Sequence, residues 1–261
     1  MRAEKDMNST EKNVPLVAIF SQLFTLILTK KKPQRNSSIS FIAANIFAVL
    51  ALFFVMAPTV VLGEKNPPIE QITEKLQQTY DKIYDFKASF VQETIVKSIQ
   101  KTDREAGIVY LKKPKNMFWN YTSPKTKKLI INPRKTWLYL PEEKVVYTQE
   151  PDLIFKSKVL IKFLAGLGKL NDDFIIRYTP QETDKNGNYS LILSPREKNS
   201  GLNDFQLTLD KSNYQIIRIS FDDTMDNSTV LMFTAITINS SVSEKLFQFK
   251  PPAGVNVYNM P

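Results

Sequence analysis

Hydrophobic positions change their period along this chain, and the changes divide it. Residues 14–28 and 39–62 are largely apolar runs, separated by the basic block Lys30-Lys31-Lys32-Pro33-Gln34-Arg35 and a Ser-rich step. The basic block, the second run and the small-residue end Val61-Leu62-Gly63 have the layout of a secretory signal peptide, with cleavage expected near Gly63. The second run is also long enough to span a bilayer, which takes about 20 residues, so an uncleaved anchor is the competing reading. Pro58 near its end favours cleavage. Residues 1–63 are therefore set aside as a leader, and residues 64–261 are expected to form one domain.

After the linker Asn66-Pro67-Pro68, the apolar residues Ile69, Ile72, Leu76, Tyr80 and Ile83 fall on one helical stripe, with Glu70, Lys75, Gln78 and Lys82 elsewhere. This predicts a helix over 69–84 whose stripe packs on a sheet. From residue 85 the period becomes two. Alternating runs follow at 106–112, 117–121, 128–131, 137–140 and 145–148, then at 173–178, 189–193, 204–209, 215–221, 228–238 and 247–250. Pro114, Ser123-Pro124, Asn132-Pro133, Pro141 and the tetrad Lys185-Asn186-Gly187-Asn188 punctuate them as turns. The series predicts a mainly β (α+β) domain built on consecutive antiparallel strands, enough of them to curl round their own contents. One segment interrupts it. Leu153, Val159, Leu160, Phe163, Leu164 and Leu167 recur at helical spacing among Lys156, Lys158 and Lys162. Such an amphipathic segment either plugs the core or forms a lid over a cavity.

Composition narrows the chemistry. The chain has no Cys and no His, which removes disulfides, thiol nucleophiles, Cys or His metal sites and any Ser-His-Asp arrangement. It also removes the N-terminal Cys that a lipid-anchored lipoprotein needs. Seven glycines leave no phosphate-cradling loop. Residues 222–227 are acidic but lack the glycine and terminal Glu of a calcium loop. Paired acids such as Asp222-Asp223 and Asp172-Asp173 fall in turns, where backbone bonding alone explains them. No catalytic residues, cofactor or metal site are therefore expected. The net charge is +9; the leader holds seven of the 35 basic and three of the 26 acidic residues, so the domain is only mildly basic. No basic cluster interleaved with aromatics argues for nucleic acid.

What stands out is aromatic area. Gly107 to Pro124 is two strand-like runs about a Lys-Lys-Pro turn, and the second run sets Met117, Trp119 and Tyr121 on one face. Phe86, Phe90, Trp137 and Tyr139 lie on neighbouring runs. These rings either fill an ordinary core or line a lipid pocket.

At this point the sequence resembles a family. Phe86-x-Ala88-x-Phe90-x-Gln92 after a helix, Leu111-Lys112-Lys113-Pro114 leading to Trp119-x-Tyr121, Trp137-x-Tyr139, and the closing Phe247-x-Phe249-x-Pro251-Pro252-x-Gly254 are similar, in order and spacing, to the periplasmic outer-membrane lipoprotein carriers of the LolA family. The resemblance implies an incomplete β-barrel with helices as a lid over an apolar cavity. Its wall would include Phe86, Phe90, Leu111, Met117, Trp119, Tyr121, Trp137 and Tyr139, and its lid Leu160, Phe163, Leu164 and Leu167. It implies a monomeric periplasmic chaperone without cofactor. Such a chaperone takes lipoproteins from an inner-membrane lipoprotein-releasing ABC transporter and hands them to an outer-membrane lipoprotein receptor. A lipid- or lipoprotein-sensing module and a glycolipid carrier share the implied fold. The family's latch Arg before the Pro is replaced by Lys113, which offers a point charge and not a planar fork.

Overall fold

The computed structural model describes residues 66–151, 169–197, 203–223 and 225–259. Helix α1 (Ile69–Asp81) leads into the long strands β1 (Asp85–Val96) and β2 (Lys101–Lys112). The strands β3 (Asn116–Ser123), β4 (Lys127–Ile131), β5 (Thr136–Leu140) and β6 (Val145–Gln149) follow. After the single turn α2 (Leu170–Asp173) come β7 (Phe174–Thr183), β8 (Tyr189–Pro195), β9 (Phe205–Leu209), β10 (Ile216–Asp222), β11 (Ser228–Ile238) and β12 (Asn256–Asn259). The helix ends three residues before the predicted 84, and Ile83 turns back to donate its N–H to the Tyr80 carbonyl.

All twelve strands form one sheet, in the order β12-β6-β5-β4-β3-β2-β1-β11-β10-β9-β8-β7. Within β1 to β6 and within β7 to β11 consecutive strands are neighbours, β1 pairs β11 to join the two halves, and β12 returns to pair β6. The edge strands β12 and β7 do not pair with each other, so the barrel is incomplete. Laid flat, twelve strands would span about 50 Å, whereas α1 is only about 10 Å across. Yet Ile72, Leu76 and Tyr80 of α1 share one buried cluster with residues of β1 to β5 and of β7 to β11. The sheet therefore bends round the helix, and the predicted stripe is what it bends round.

One predicted strand is displaced. Residues 247–250 are not a strand: Glu244–Phe247 is a 3-10 turn, and the chain then crosses without ladder pairing through Pro251 and Pro252, which have no N–H to give. The final strand is β12, which pairs β6 in parallel, the sheet's one departure from antiparallel order. The Phe247-x-Phe249 alternation reflects packing on the outside of the sheet. Phe249 lies 6.1 Å from Trp137 and 5.5 Å from Tyr139, ring to ring.

Candidate functional site

The inward row of each strand makes the site. Cross-strand register aligns Phe86 with Leu111 and Leu111 with Met117, and likewise Ala88 with Val109 and Val109 with Trp119. Phe90 stands edge-on to Trp119 at 5.0 Å and to Tyr121 at 4.9 Å, geometry that aromatic pairs prefer. Six of the eight predicted wall residues, Phe86, Phe90, Leu111, Met117, Trp119 and Tyr121, are thus brought together inside the barrel. Trp119 is only half-buried, although it faces the interior.

Trp137 and Tyr139 are not with them. Trp137 pairs with Ile130 and Ile130 with Phe118, all on the outward face. The inward residues of β5 are Thr136, Leu138 and Leu140. Trp137 and Tyr139 instead form a small outer core with Phe249, near buried Ile130, Val146 and Phe247. The expected lid residues Leu160, Phe163, Leu164 and Leu167 lie outside the described residues. The interior does contain residues that the sequence reading did not single out, namely Val109, Phe233 and Leu138. Strand parity alone points Val109 inward beside Phe86 and Phe90, and that was the available signal.

Helix α1 packs its stripe into this interior, with Ile72, Leu76 and Tyr80 buried in the core cluster. A void beside it, among the described residues, measures about 10 Å³ and is lined by Tyr80, Phe86, Val109, Leu111, Trp119, Ile216 and Phe233. That is room for about one water. The plug is fastened at points. Pro67 O, just before α1, accepts from the Tyr178 hydroxyl of β7 at 2.8 Å, and Asn66 donates to Glu182 at 2.8 Å. At the far end, Ile216 N donates to the Tyr80 hydroxyl at 3.2 Å.

Lys113 grips the same end. Its Nζ donates to the Tyr80 carbonyl at 2.5 Å, in the last turn of α1, where carbonyls lack helical partners and a cation is favoured. Burial pushes the Lys113 ammonium below its ordinary pKa, and the Asp81 carboxylate pulls it part of the way back. The unfolded chain therefore holds this proton longer than the folded one. Stability should rise with pH through the window just below the ordinary value of 10.5. Lys113→Met is expected to flatten that rise in urea titrations run at several alkaline pH values. It should also cost about 1 kcal/mol at neutral pH, the scale of a charged hydrogen bond discounted for exposure. An unchanged alkaline slope would show that Lys113 does not sense the helix.

Beyond the aromatic rings the interior turns polar. Gln92 and Thr94 of β1 and Asp103 and Glu105 of β2 are all buried and inward-facing. Lys127 of β4 bridges Glu105 at 2.7 Å and sits 4.2 Å from the Tyr121 ring centroid. The Tyr121 hydroxyl donates to Gln92 Oε1 at 3.1 Å, and burial, then the Glu105 charge, pushes its pKa up. Removing one partner of a buried pair strands the other charge, which costs about 3–5 kcal/mol. Lys127→Met should therefore lower the urea midpoint far more than the double change Lys127→Met with Glu105→Leu. Equal losses would mean the pair is effectively solvated.

The fold is thus an incomplete barrel with an amphipathic helix packed on its apolar interior. The chain belongs to the outer membrane lipoprotein carrier protein LolA family, whose model matches residues 81–250. The outer-membrane lipoprotein carrier protein of Hahella chejuensis is 26% identical over 172 residues, covering 66% of this chain and 80% of that protein. The carrier protein of Methylococcus capsulatus is 24% identical over 207 residues, covering 79% and 96%. Among solved structures, a LolA superfamily protein from Nitrosomonas europaea aligns with 70% of this chain and 99% of its own at 12% identity, with a TM-score of 0.39. The family's name describes carriage and not catalysis. Among the described residues no helix is long and apolar enough to cross a membrane.

Proposed function

We propose that the chain is a periplasmic carrier that shelters the acyl chains of lipoproteins inside the barrel between the inner and outer membranes. The observation that carries this reading is the plug. A large apolar interior packs on one helix whose other face is polar, and the helix is held at each end by two polar contacts. Apolar burial by α1 and by an acyl chain is interchangeable in kind. A buried methylene is worth about 0.8 kcal/mol, so a 16-carbon chain gains about 12 kcal/mol on leaving water. That is comparable with the burial of the helix stripe, at about 1.5–3 kcal/mol for each large apolar side chain, so an acyl chain can compete with it. The same gain makes release into water negligibly slow, so transfer runs directly between pockets, from an inner-membrane releasing transporter and to an outer-membrane receptor. On this reading residues 1–63 export the chain and are removed near Gly63, the mature protein works as a monomer, and no cofactor takes part.

Mass spectrometry of material co-purifying with the mature protein from a periplasmic extract tests this. Acylated lipoprotein in near-stoichiometric amount is the expected result. Glycolipid in its place would make the chain a carrier of another cargo. An empty interior that also fails to take up acylated peptide would defeat carriage.

A further inference from the structure

A second concavity lies on the opposite face of the sheet. Between Tyr178 and Thr183, β7 leaves its register with β8, and Glu182 takes a positive φ of 59°. The released segment stands over the outward row of β8 to β11. It borders an open cleft of about 420 Å³ lined by Thr179, Gln181, Ser190, Gln206, Thr208 and Arg218, with Met232 and Phe233 of β11 at its apolar side. Register confirms the face: Ser190 pairs with Thr208, Thr208 with Arg218 and Arg218 with Met232, whereas Leu191, Leu207 and Ile219 point inward.

We propose that this cleft binds a small phosphorylated polyol. Arg218 is exposed, and no carboxylate pairs with it among the described residues. The lining carboxylate, Asp184, is engaged by Asn186 N, Asn188 N and Asn188 Nδ2 at 2.8, 2.9 and 3.1 Å, which fix its turn and leave the guanidinium unmatched. A planar guanidinium is suited to two oxygens of one phosphate. Thr179 is 93% buried, yet its Oγ1 has no hydrogen-bond partner among the described residues, and Thr179 lines the cleft. A buried hydroxyl without a partner is rare in a folded protein and is readily drawn into a hydrogen bond with a polar group that comes within reach. The remaining donors and acceptors, Ser190, Thr183, Thr208, Gln181 and Gln206, suit the hydroxyls of a polyol. The volume lies within the range of small-molecule sites, about 300–1,000 Å³, and exceeds what a bare phosphate fills. One chemistry has two sources here: the glycerophosphate headgroup of an anionic phospholipid, or a soluble sugar or glycerol phosphate. Because the cleft faces away from the apolar interior, the proposal stands apart from lipoprotein carriage.

The test titrates the chain with glycerol 3-phosphate, glycerol and inorganic phosphate by calorimetry, and floats it with vesicles of phosphatidylglycerol or of phosphatidylcholine. Saturable glycerol 3-phosphate binding, about tenfold tighter than phosphate alone and weakened about tenfold or more by Arg218→Gln, is expected. Thr179→Val, which keeps shape and loses the hydroxyl, should weaken it too. Co-flotation with phosphatidylglycerol alone, lost in Arg218→Gln, supports the headgroup source; binding in solution without flotation supports the soluble source. Absence of both, or binding indifferent to Arg218→Gln and Thr179→Val, overturns the proposal.

Discussion

Gly107→Ala should remove a large share of the folding stability. Gly107 sits on β2 opposite Phe90, at a bulge where β3 slips register, so that Ala106 faces Ser123 but Gly107 faces Tyr121. A Cβ built there would lie 2.1 Å from the Asn120 carbonyl oxygen and 2.9 Å from the Tyr121 Cα, both backbone atoms. No side-chain rotation relieves such a contact; β3 itself must move. Tyr121 is anchored by the edge-on contact with Phe90 and by its bond to Gln92, so a displaced β3 also disturbs the aromatic floor and the buried polar pair beneath it. Overpacking usually costs about 1–3 kcal/mol, and backbone obstruction belongs at the upper end of single substitutions, about 4 kcal/mol or more. Set against a typical total of 5–15 kcal/mol, this is a large share. Urea denaturation followed by circular dichroism measures it. A midpoint within error of the unaltered chain would refute the close approach of β2 and β3.

Helix and strand positions were readable because period is a local property. The stripe from Ile69 to Tyr80 needs a helix to come onto one side, and residues 85–96 need a strand. Which face of a strand turns inward is less local. In β3, Met117, Trp119 and Tyr121 outweigh Phe118 and Asn120, and the choice is plain. In β5, both faces are apolar: Trp137 and Tyr139 on one, Thr136, Leu138 and Leu140 on the other. The decision falls to register with β4 and to a cover contributed by residues 247–249, more than a hundred positions away. Sequence periodicity carries no information on that cover. The same holds for Lys113. Its type and its place before Pro114 flagged it, but its partner, the Tyr80 carbonyl, lies 33 residues back and is available only because α1 ends where it does. The polar end of the interior is only partly legible: alternation puts Gln92 and Thr94 on the row of Phe86 and Phe90, whereas Asp103 and Glu105 precede the alternating run at 106–112 and are turned inward only by the pairing of β2 with β1.

The opposed placement of the two tryptophans yields the sharpest test of carriage. The chain has only Trp119 and Trp137, so Trp137→Phe and Trp119→Phe each leave a single fluorophore. Trp119 faces the interior, borders the small void beside α1 and stands between Phe90 and Phe233 at 5.0 and 6.3 Å. Trp137 is on the outer face beneath Phe249. If acyl chains enter the barrel, a diacylated peptide carrying bromine on its chains should quench the emission of the Trp137→Phe protein strongly. The Trp119→Phe protein should bind the same peptide with little quenching, because its reporter lies across the sheet. Trp119→Glu should then reduce binding by about 100-fold or more. A carboxylate placed in an apolar pocket either remains charged without a partner or takes up a proton, and both cost several kcal/mol relative to the indole, at about 1.4 kcal/mol for each tenfold. The interior can also answer by keeping α1 in place, since the helix stripe then competes for a smaller apolar surface. Equal quenching of both single-tryptophan proteins would put the chains on the outside of the sheet. Full binding by Trp119→Glu would remove the interior as the acyl site and leave the family's carriage to be sought elsewhere on this chain.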